Sequence, residues 1–170
     1  GFCNMLDKLV KEEKEKKGIT NLLVVFDASG KTFRNDIYPN YKANRSEAPE
    51  DLIPQFPVIR KATEAFNIPY VELMGYEADD LIASYSRAAQ KENMKVTIVS
   101  SDKDLMQLVS DNVSMLDTMK NKIVQKEEVY EKFGVYPEKV IDVQSLAGDS
   151  VDNIPGCLLY TSPSPRDTEV

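Results

Sequence analysis

Acidic residues gather at four places in the sequence: Asp27; Glu77, Asp79 and Asp80; Asp102 and Asp104; and Asp149 with Asp152. Carboxylates brought together repel one another, so such a set makes chemical sense when cations offset the charge. Oxygen donors without histidine suit Mg²⁺ or Mn²⁺. Two such ions can generate a hydroxide nucleophile and stabilise the attacking and leaving oxygens of phosphodiester cleavage. The sequence contains no His, which excludes Ser-His-Asp and Cys-His catalysis and His-based zinc sites. Bound metal would supply the general base that the composition lacks.

Each cluster alone also has a plainer reading. Acids in a helix's first turn are favoured by the helix dipole, which is enough to explain Glu77, Asp79 and Asp80. Asp102 with Asp104 fits an N-cap and a solvated neighbour, and Asp149 with Asp152 fits a turn. Asp27 is less ordinary because it closes a wholly apolar run. Gly30-Lys31-Thr32 ends like a phosphate loop, but position 25 is Val where that motif needs Gly, so the motif is rejected. Cys3 and Cys157 lie at opposite ends without CxxC spacing, which indicates neither a disulfide framework nor a zinc cluster and fits a reducing cytoplasm. Cys3 is expected to pack on the apolar side of the first helix.

The elements that would position these acids are legible from periodicity. Phe2, Met5, Leu6, Leu9 and Val10 repeat at helical spacing, and a Lys/Glu run ends at Gly18. The chain opens inside this pattern without an initiator Met, which predicts a lost upstream part. Leu22 to Phe26 predicts a strand buried on both faces, and Val96 to Val99 a second one; Asp27 follows the first directly, and Asp102 and Asp104 follow the second after Ser100-Ser101. Residues 32–49 have no clean period and read as a long loop or arch. Residues 50–67 read as a helix with Pro54 and Pro57 in its first turns, and residues 70–73 as a short strand. Ala78, Leu81, Ile82, Tyr85 and Ala89 predict an amphipathic helix over 77–90. A further helix is expected after Asp104, a strand pair over 113–116 and 123–124, and a helix from Pro137 to Gly148. Strands alternating with helices indicate an α/β fold with a mostly parallel sheet, in which the carboxyl ends of strands share one edge; the four clusters could converge there.

With 170 residues, 42% of them hydrophobic, the chain has room for one domain with a core. No apolar run approaches the length of a membrane span and no signal-peptide pattern is present. The net charge of −7 argues against a nucleic-acid partner on average. Between Lys31 and Arg45, however, four basic residues (Lys31, Arg34, Lys42, Arg45) face one acid (Asp36), which makes that segment positive by three charges. Residues 157–170 have neither periodicity nor a cap, resemble translated adapter sequence, and read as a non-native tail.

Taken in order, Val25-Phe26-Asp27-Ala28, Tyr41-Lys42-Ala43-Asn44-Arg45, Gly75-Tyr76-Glu77-Ala78-Asp79-Asp80, Ser101-Asp102-Lys103-Asp104-Leu105 and the run from Gly148-Asp149 through Asp152 to Gly156 resemble the 5′-nuclease domain of bacterial DNA polymerase I. The resemblance covers residues 1–156. It implies a PIN-like, three-layer α/β/α fold with a mostly parallel central sheet and its N-terminal strand missing. It also implies a 5′-3′ exonuclease and flap endonuclease acting in DNA replication and repair with two Mg²⁺ ions, Mn²⁺ being the alternative. By position the metal-site acids fall on Asp27, Glu77, Asp79, Asp80, Asp102, Asp104, Asp149 and Asp152, with Asp27, Asp79, Asp80, Lys42 and Arg45 as the catalytic set. Residues 31–45 would be the arch over the single-stranded 5′ end. In it Lys42 and Arg45 meet the scissile phosphate, Arg34 holds backbone, and Tyr41 and Phe33 stack on a base.

The implied partners are DNA with a 5′ flap or 5′ end and RNA-DNA primer junctions, the implied state a monomer in the bacterial cytoplasm, with a polymerase domain in cis open. The family begins with a strand carrying another ligand Asp and continues past Gly156 into a duplex-gripping helix–turn–helix. Lacking both, the chain is expected to cut weakly or not at all. Two rivals remain: a PIN-like module that binds nucleic acid without cutting, and a haloacid-dehalogenase-like phosphatase, against which Ser29 stands where that family needs a second Asp.

Overall fold

The computed structural model describes residues 1–15, 18–46 and 48–157, so the expected tail lies outside the described residues apart from Cys157. The chain divides into two compact units, residues 1–33 with 46–81 and residues 34–45 with 82–170. Each is described by itself.

In the first unit, helix α1 (Phe2–Leu9) passes into a π-helical stretch, Val10–Glu15. Leu6 is its buried residue, whereas Met5 and Cys3 are exposed. The expectation that Cys3 packs inward is therefore corrected: the face that α1 buries is centred on Leu6, and Cys3 stands off it. Strand β1 (Val24–Val25) pairs in parallel with β2 (Tyr70–Val71). Both are shorter than their apolar runs, and residues 22–26 are half-buried, not enclosed on both faces. Between them lies α3 (Gln55–Ala65), with Pro54 as its N-cap. The prolines delay its start to Gln55, while Pro57 is tolerated because amides in a helix's first turn have no intrahelical partner.

In the second unit, β3 (Val96–Val99) pairs in parallel with β4 (Val113–Asp117), which pairs antiparallel with β5 (Lys122–Val124). The connecting turn is closed by the Asp117 carboxylate, which accepts from the Met119 and Lys120 amides, and by Asn121 in the left-handed region. Helix α4 (Ala78–Lys91) begins in the first unit and runs through the second. A 3₁₀ turn (Lys103–Leu108) stands where a helix was expected after Asp104. Helix α5 (Lys126–Phe133) follows β5, and a short 3₁₀ turn (Pro137–Lys139) leads into α6 (Val140–Ala147), which stops at Gly148.

Ile98, Leu105, Val109, Val113, Met115, Val124, Val129 and Val140 form one buried cluster in this unit. Ile82 packs against it from α4. The buried face of α4 is marked by Ser86, and Tyr85, expected inside, is 48% exposed. The segment read as a loop also contains α2 (Phe33–Ile37) and a run of turns over residues 39–44.

The α/β character and the parallel pairing agree with the sequence. The described strands fall into a two-stranded and a three-stranded sheet instead of one, because β1 exchanges its ladder bonds with β2 and β3 exchanges its own with β4. No described helix is long and apolar enough to cross a membrane.

Candidate functional site

In the first unit the acids meet at the start of α4. The orphan amides of a helix's first turn need acceptors, and the sequence provides them: the Asp80 carboxylate accepts from the Glu77 amide at 2.9 Å, and Asp27 Oδ1 accepts from the Ala78 amide at 2.7 Å. Asp27 is exposed, and Glu77, Asp79 and Asp80 are half-buried. Asp27 is placed by the end of β1, whose Phe26 amide donates to the Val71 carbonyl at 2.9 Å. The Asp27 carbonyl also accepts from Arg60, which pairs with Glu72. One carboxylate from the strand end, Glu77 just before the helix and two from its first turn thus share a positive helix terminus. Phe33 and Tyr76, both exposed, meet in a tilted contact with ring centroids 5.6 Å apart and planes at 52°, and the Phe33 amide donates to the Gly75 carbonyl.

In the second unit Asp102 ends the segment after β3 and caps the 3₁₀ turn by accepting from the Asp104 amide at 2.9 Å. Asp104 is not a solvated neighbour. It is half-buried, accepts from the Gln144 side-chain amide of α6, and its carboxyl is raised above the ordinary aspartate range by burial and by the charge of Asp102. Asp149 follows α6 and accepts from Lys103 Nζ at 2.9 Å and from the Val151 amide at 2.8 Å. Burial pushes this carboxyl up, but Lys103 and the backbone amides outweigh it and hold it below the usual value.

The loop after α6 closes through reciprocal Asp149 and Ile154 backbone bonds of 2.9 and 2.7 Å. Gly148 is required here: its φ is +74°, and a Cβ on it would lie 2.4 Å from the Gly156 nitrogen.

Asp152, in that loop, receives the basic segment. Tyr41 Oη donates to it at 3.1 Å, Lys42 Nζ lies 3.8 Å away, and Arg45 is bonded to its other oxygen. Tyr41 was expected to stack on a base. It is only 7% exposed, because its hydroxyl is turned in to Asp152 and Lys42 Nζ sits 4.9 Å from its ring centroid. Arg34 is half-buried in the same unit.

Lys103, Gln144, Asn44 and Asn153 were missed in the sequence. Lys103 could have been found from its place between Asp102 and Asp104, and Asn44 and Asn153 from their places inside the Tyr41–Arg45 and Gly148–Gly156 motifs; Gln144 carries no local signal. Among the described residues no three ligating side chains are gathered tightly enough to hold a metal ion. The structure instead gives Asp104 with Gln144 and the capping Asp102, and carboxylates neutralised by lysine and arginine.

The sequence matches the family described as 5′-3′ exonuclease, N-terminal resolvase-like domain, over residues 1–134. It is 59% identical over 159 residues to a DNA polymerase I of Rhizobium leguminosarum, covering 92% of this chain and 16% of that protein. It is 47% identical over 156 residues to a 5′-3′ exonuclease of Aquifex aeolicus, covering 92% of this chain and 53% of that protein. The chain therefore spans about half or less of the length of these relatives. Among solved structures, the fold is similar to that of a T5 5′-exonuclease with divalent zinc ions bound, at a TM-score of 0.78 and 25% identity, covering 91% of this chain and 61% of that one. That likeness agrees with the PIN-like α/β architecture expected from the motifs. With the match extending from residue 1 through the strand-end acid, the helix-start acids and the Asp102–Asp104 turn, the chain belongs to the family of 5′-3′ exonuclease N-terminal domains.

Proposed function

We propose that the protein is a metal-dependent 5′-3′ exonuclease and flap endonuclease that hydrolyses phosphodiester bonds of 5′-flapped DNA and RNA-DNA primer junctions during replication and repair. Residues 1–156 are its nuclease part, residues 157–170 a foreign tail, and its place is the bacterial cytoplasm. The observation that carries this reading is the pairing of Lys42 and Arg45 with Asp152, in the unit that also holds Asp102, Asp104 and Asp149. Two cations able to meet a phosphate are thereby held beside acids able to meet a metal.

The donor set is all oxygen, as Mg²⁺ and Mn²⁺ prefer, and the raised Asp104 carboxyl is what an adjacent cation would relieve. In the first unit Asp27, Glu77, Asp79 and Asp80 would serve as ligands; in the second, Asp102, Asp104, Asp149 and Asp152. When bound, divalent ions supply a hydroxide nucleophile and stabilise developing charge on the phosphate oxygens. Arg34, Lys42 and Arg45 hold the backbone phosphates, and Phe33, tilted against Tyr76, offers a ring to a base. Tyr41 braces Lys42 and Asp152 from within.

Incubation of this chain with a 5′-flapped DNA and Mg²⁺ is expected to release the flap slowly. Asp79→Asn should lower that rate by roughly 10²-fold or more, the scale on which removing one transition-state stabiliser acts. Cleavage that persists in EDTA, or survives Asp79→Asn, would falsify the proposal. A second reading, binding without cutting, is favoured by the Lys103–Asp149 ion pair, which occupies a carboxylate that a metal would need. Metal-independent retention of single-stranded DNA with no cleavage would establish it.

A further inference from the structure

The basic segment is fastened to the Asp149–Ile154 loop by more than charge. Besides the Asp152 pairs, the Lys42 amide donates to the Asp152 carbonyl at 3.0 Å. The Asn44 side-chain amide donates to the Ser150 carbonyl at 2.9 Å, and the Asn153 side-chain amide donates back to the Asn40 carbonyl at 2.8 Å. The two asparagines thus tie the segment to the loop near its two ends, one from each partner. The seat holds unusual backbone: Lys42 and Asn153 have φ of +56° and +60°. A lysine there is strained, by about 1 kcal/mol or more, and persists only when its surroundings fix it.

We propose that Asn44 and Asn153 are positioning residues that keep Lys42 and Arg45 seated for phosphate engagement. This rests on the nucleic-acid role given to those two cations above. The Asp152 ion pairs cannot do this work alone. A phosphate competes for Lys42 and Arg45, and a divalent ion competes for Asp152, so both pairs are broken by the partners they serve. The asparagine bonds join neutral amides to backbone carbonyls. They survive that exchange and leave the segment in register while its charges change partners. Asparagine suits position 153 twice, since it tolerates the left-handed backbone and still offers a donor.

The test uses the whole chain with Asn44→Asp and Asn153→Asp, which keep shape and lose the donor, and Asn153→Gly, which keeps the backbone freedom and loses the side chain. Limited trypsin digestion read by mass spectrometry follows the bonds after Lys42 and Arg45. Each variant should be cut there roughly three- to tenfold faster, the range expected for loss of one hydrogen bond when cleavage follows the open population, with cutting elsewhere and Tm unchanged. In parallel, the slope of log Kd against log salt for a 5′-flap oligonucleotide should become shallower by about one to two phosphate contacts, as it should in Lys42→Ala and Arg45→Ala. Unchanged protection after Lys42 and Arg45 overturns the proposal. So does lost protection with an unchanged salt slope, which would make the asparagines braces only. If Lys42→Ala and Arg45→Ala leave binding untouched, the functional reading fails, and the trypsin result still shows whether the seat exists.

Discussion

At the residue scale, the two carboxylates that flank Lys103 in space behave oppositely. Asp104 is pushed up by burial and by Asp102, whereas Asp149 is held down by Lys103 and two backbone amides once their effect exceeds that of burial. A carboxyl raised in the folded state costs stability as pH climbs through the window above its ordinary value. A lowered one contributes stability above the unfolded value and loses it as pH falls through its folded value. Asp104→Asn should therefore stabilise the protein at neutral pH, the direction set by the raised carboxyl. Thermal melts of parent and variant at several pH values check this: the gain should shrink on acidification. Removing the partner of Asp149 by Lys103→Met should do the reverse and destabilise at neutral pH. The residue-level reading of Asp104 as solvated failed because its environment comes from Gln144, forty positions along the chain. The inward turn of Tyr41 has the same origin, since its partner Asp152 is 111 positions away. Composition around a residue cannot reveal contacts at such separations.

At the element scale, the sequence was clearest where a periodic run and a local stop coincide. Strand β3 has the bounds its apolar run suggests, the β4–β5 pair falls where a strand pair was expected, and α6 ends at Gly148. Helix α5 was overlooked although its signals are local: Glu128 accepts from the Gln125 amide at 2.9 Å, and Gly134 closes it with φ of +70°. The Gln125 amide keeps the Glu128 carboxyl below its ordinary value. Its support is thus present above the unfolded value and fades as pH falls through the lowered one. Glu128→Ala should cost about 1 kcal/mol in urea unfolding at pH 7 and less near pH 3. Strand β1 shows the opposite failure. Five apolar residues suggested an enclosed strand, but only Val24 and Val25 pair, because ladder length is set by the partner strand and β2 offers two residues.

At the scale of the molecule, the two units differ in what holds them. The second has an eight-residue buried cluster and a three-stranded sheet, while the first relies on Leu6, Thr63, Ile68 and a two-residue ladder. Amide exchange should accordingly be slowest at Val113 and Met115 and much faster at Val24 and Phe26, whose amides donate across the β1–β2 ladder, by roughly 10²-fold or more if the first unit opens alone. Equal protection would mean that the molecule unfolds as one. The division into units also has a consequence for dissecting the gene. Residues 34–45 belong to the second unit yet lie between two stretches of the first, so no single cut yields two self-sufficient pieces. A polypeptide ending at Leu81 would carry the basic segment without its seat, and one starting at Ile82 would carry the seat without the segment. Co-expressed, the halves should behave as a split protein, recovering protection of the Lys42 and Arg45 bonds only on reassociation.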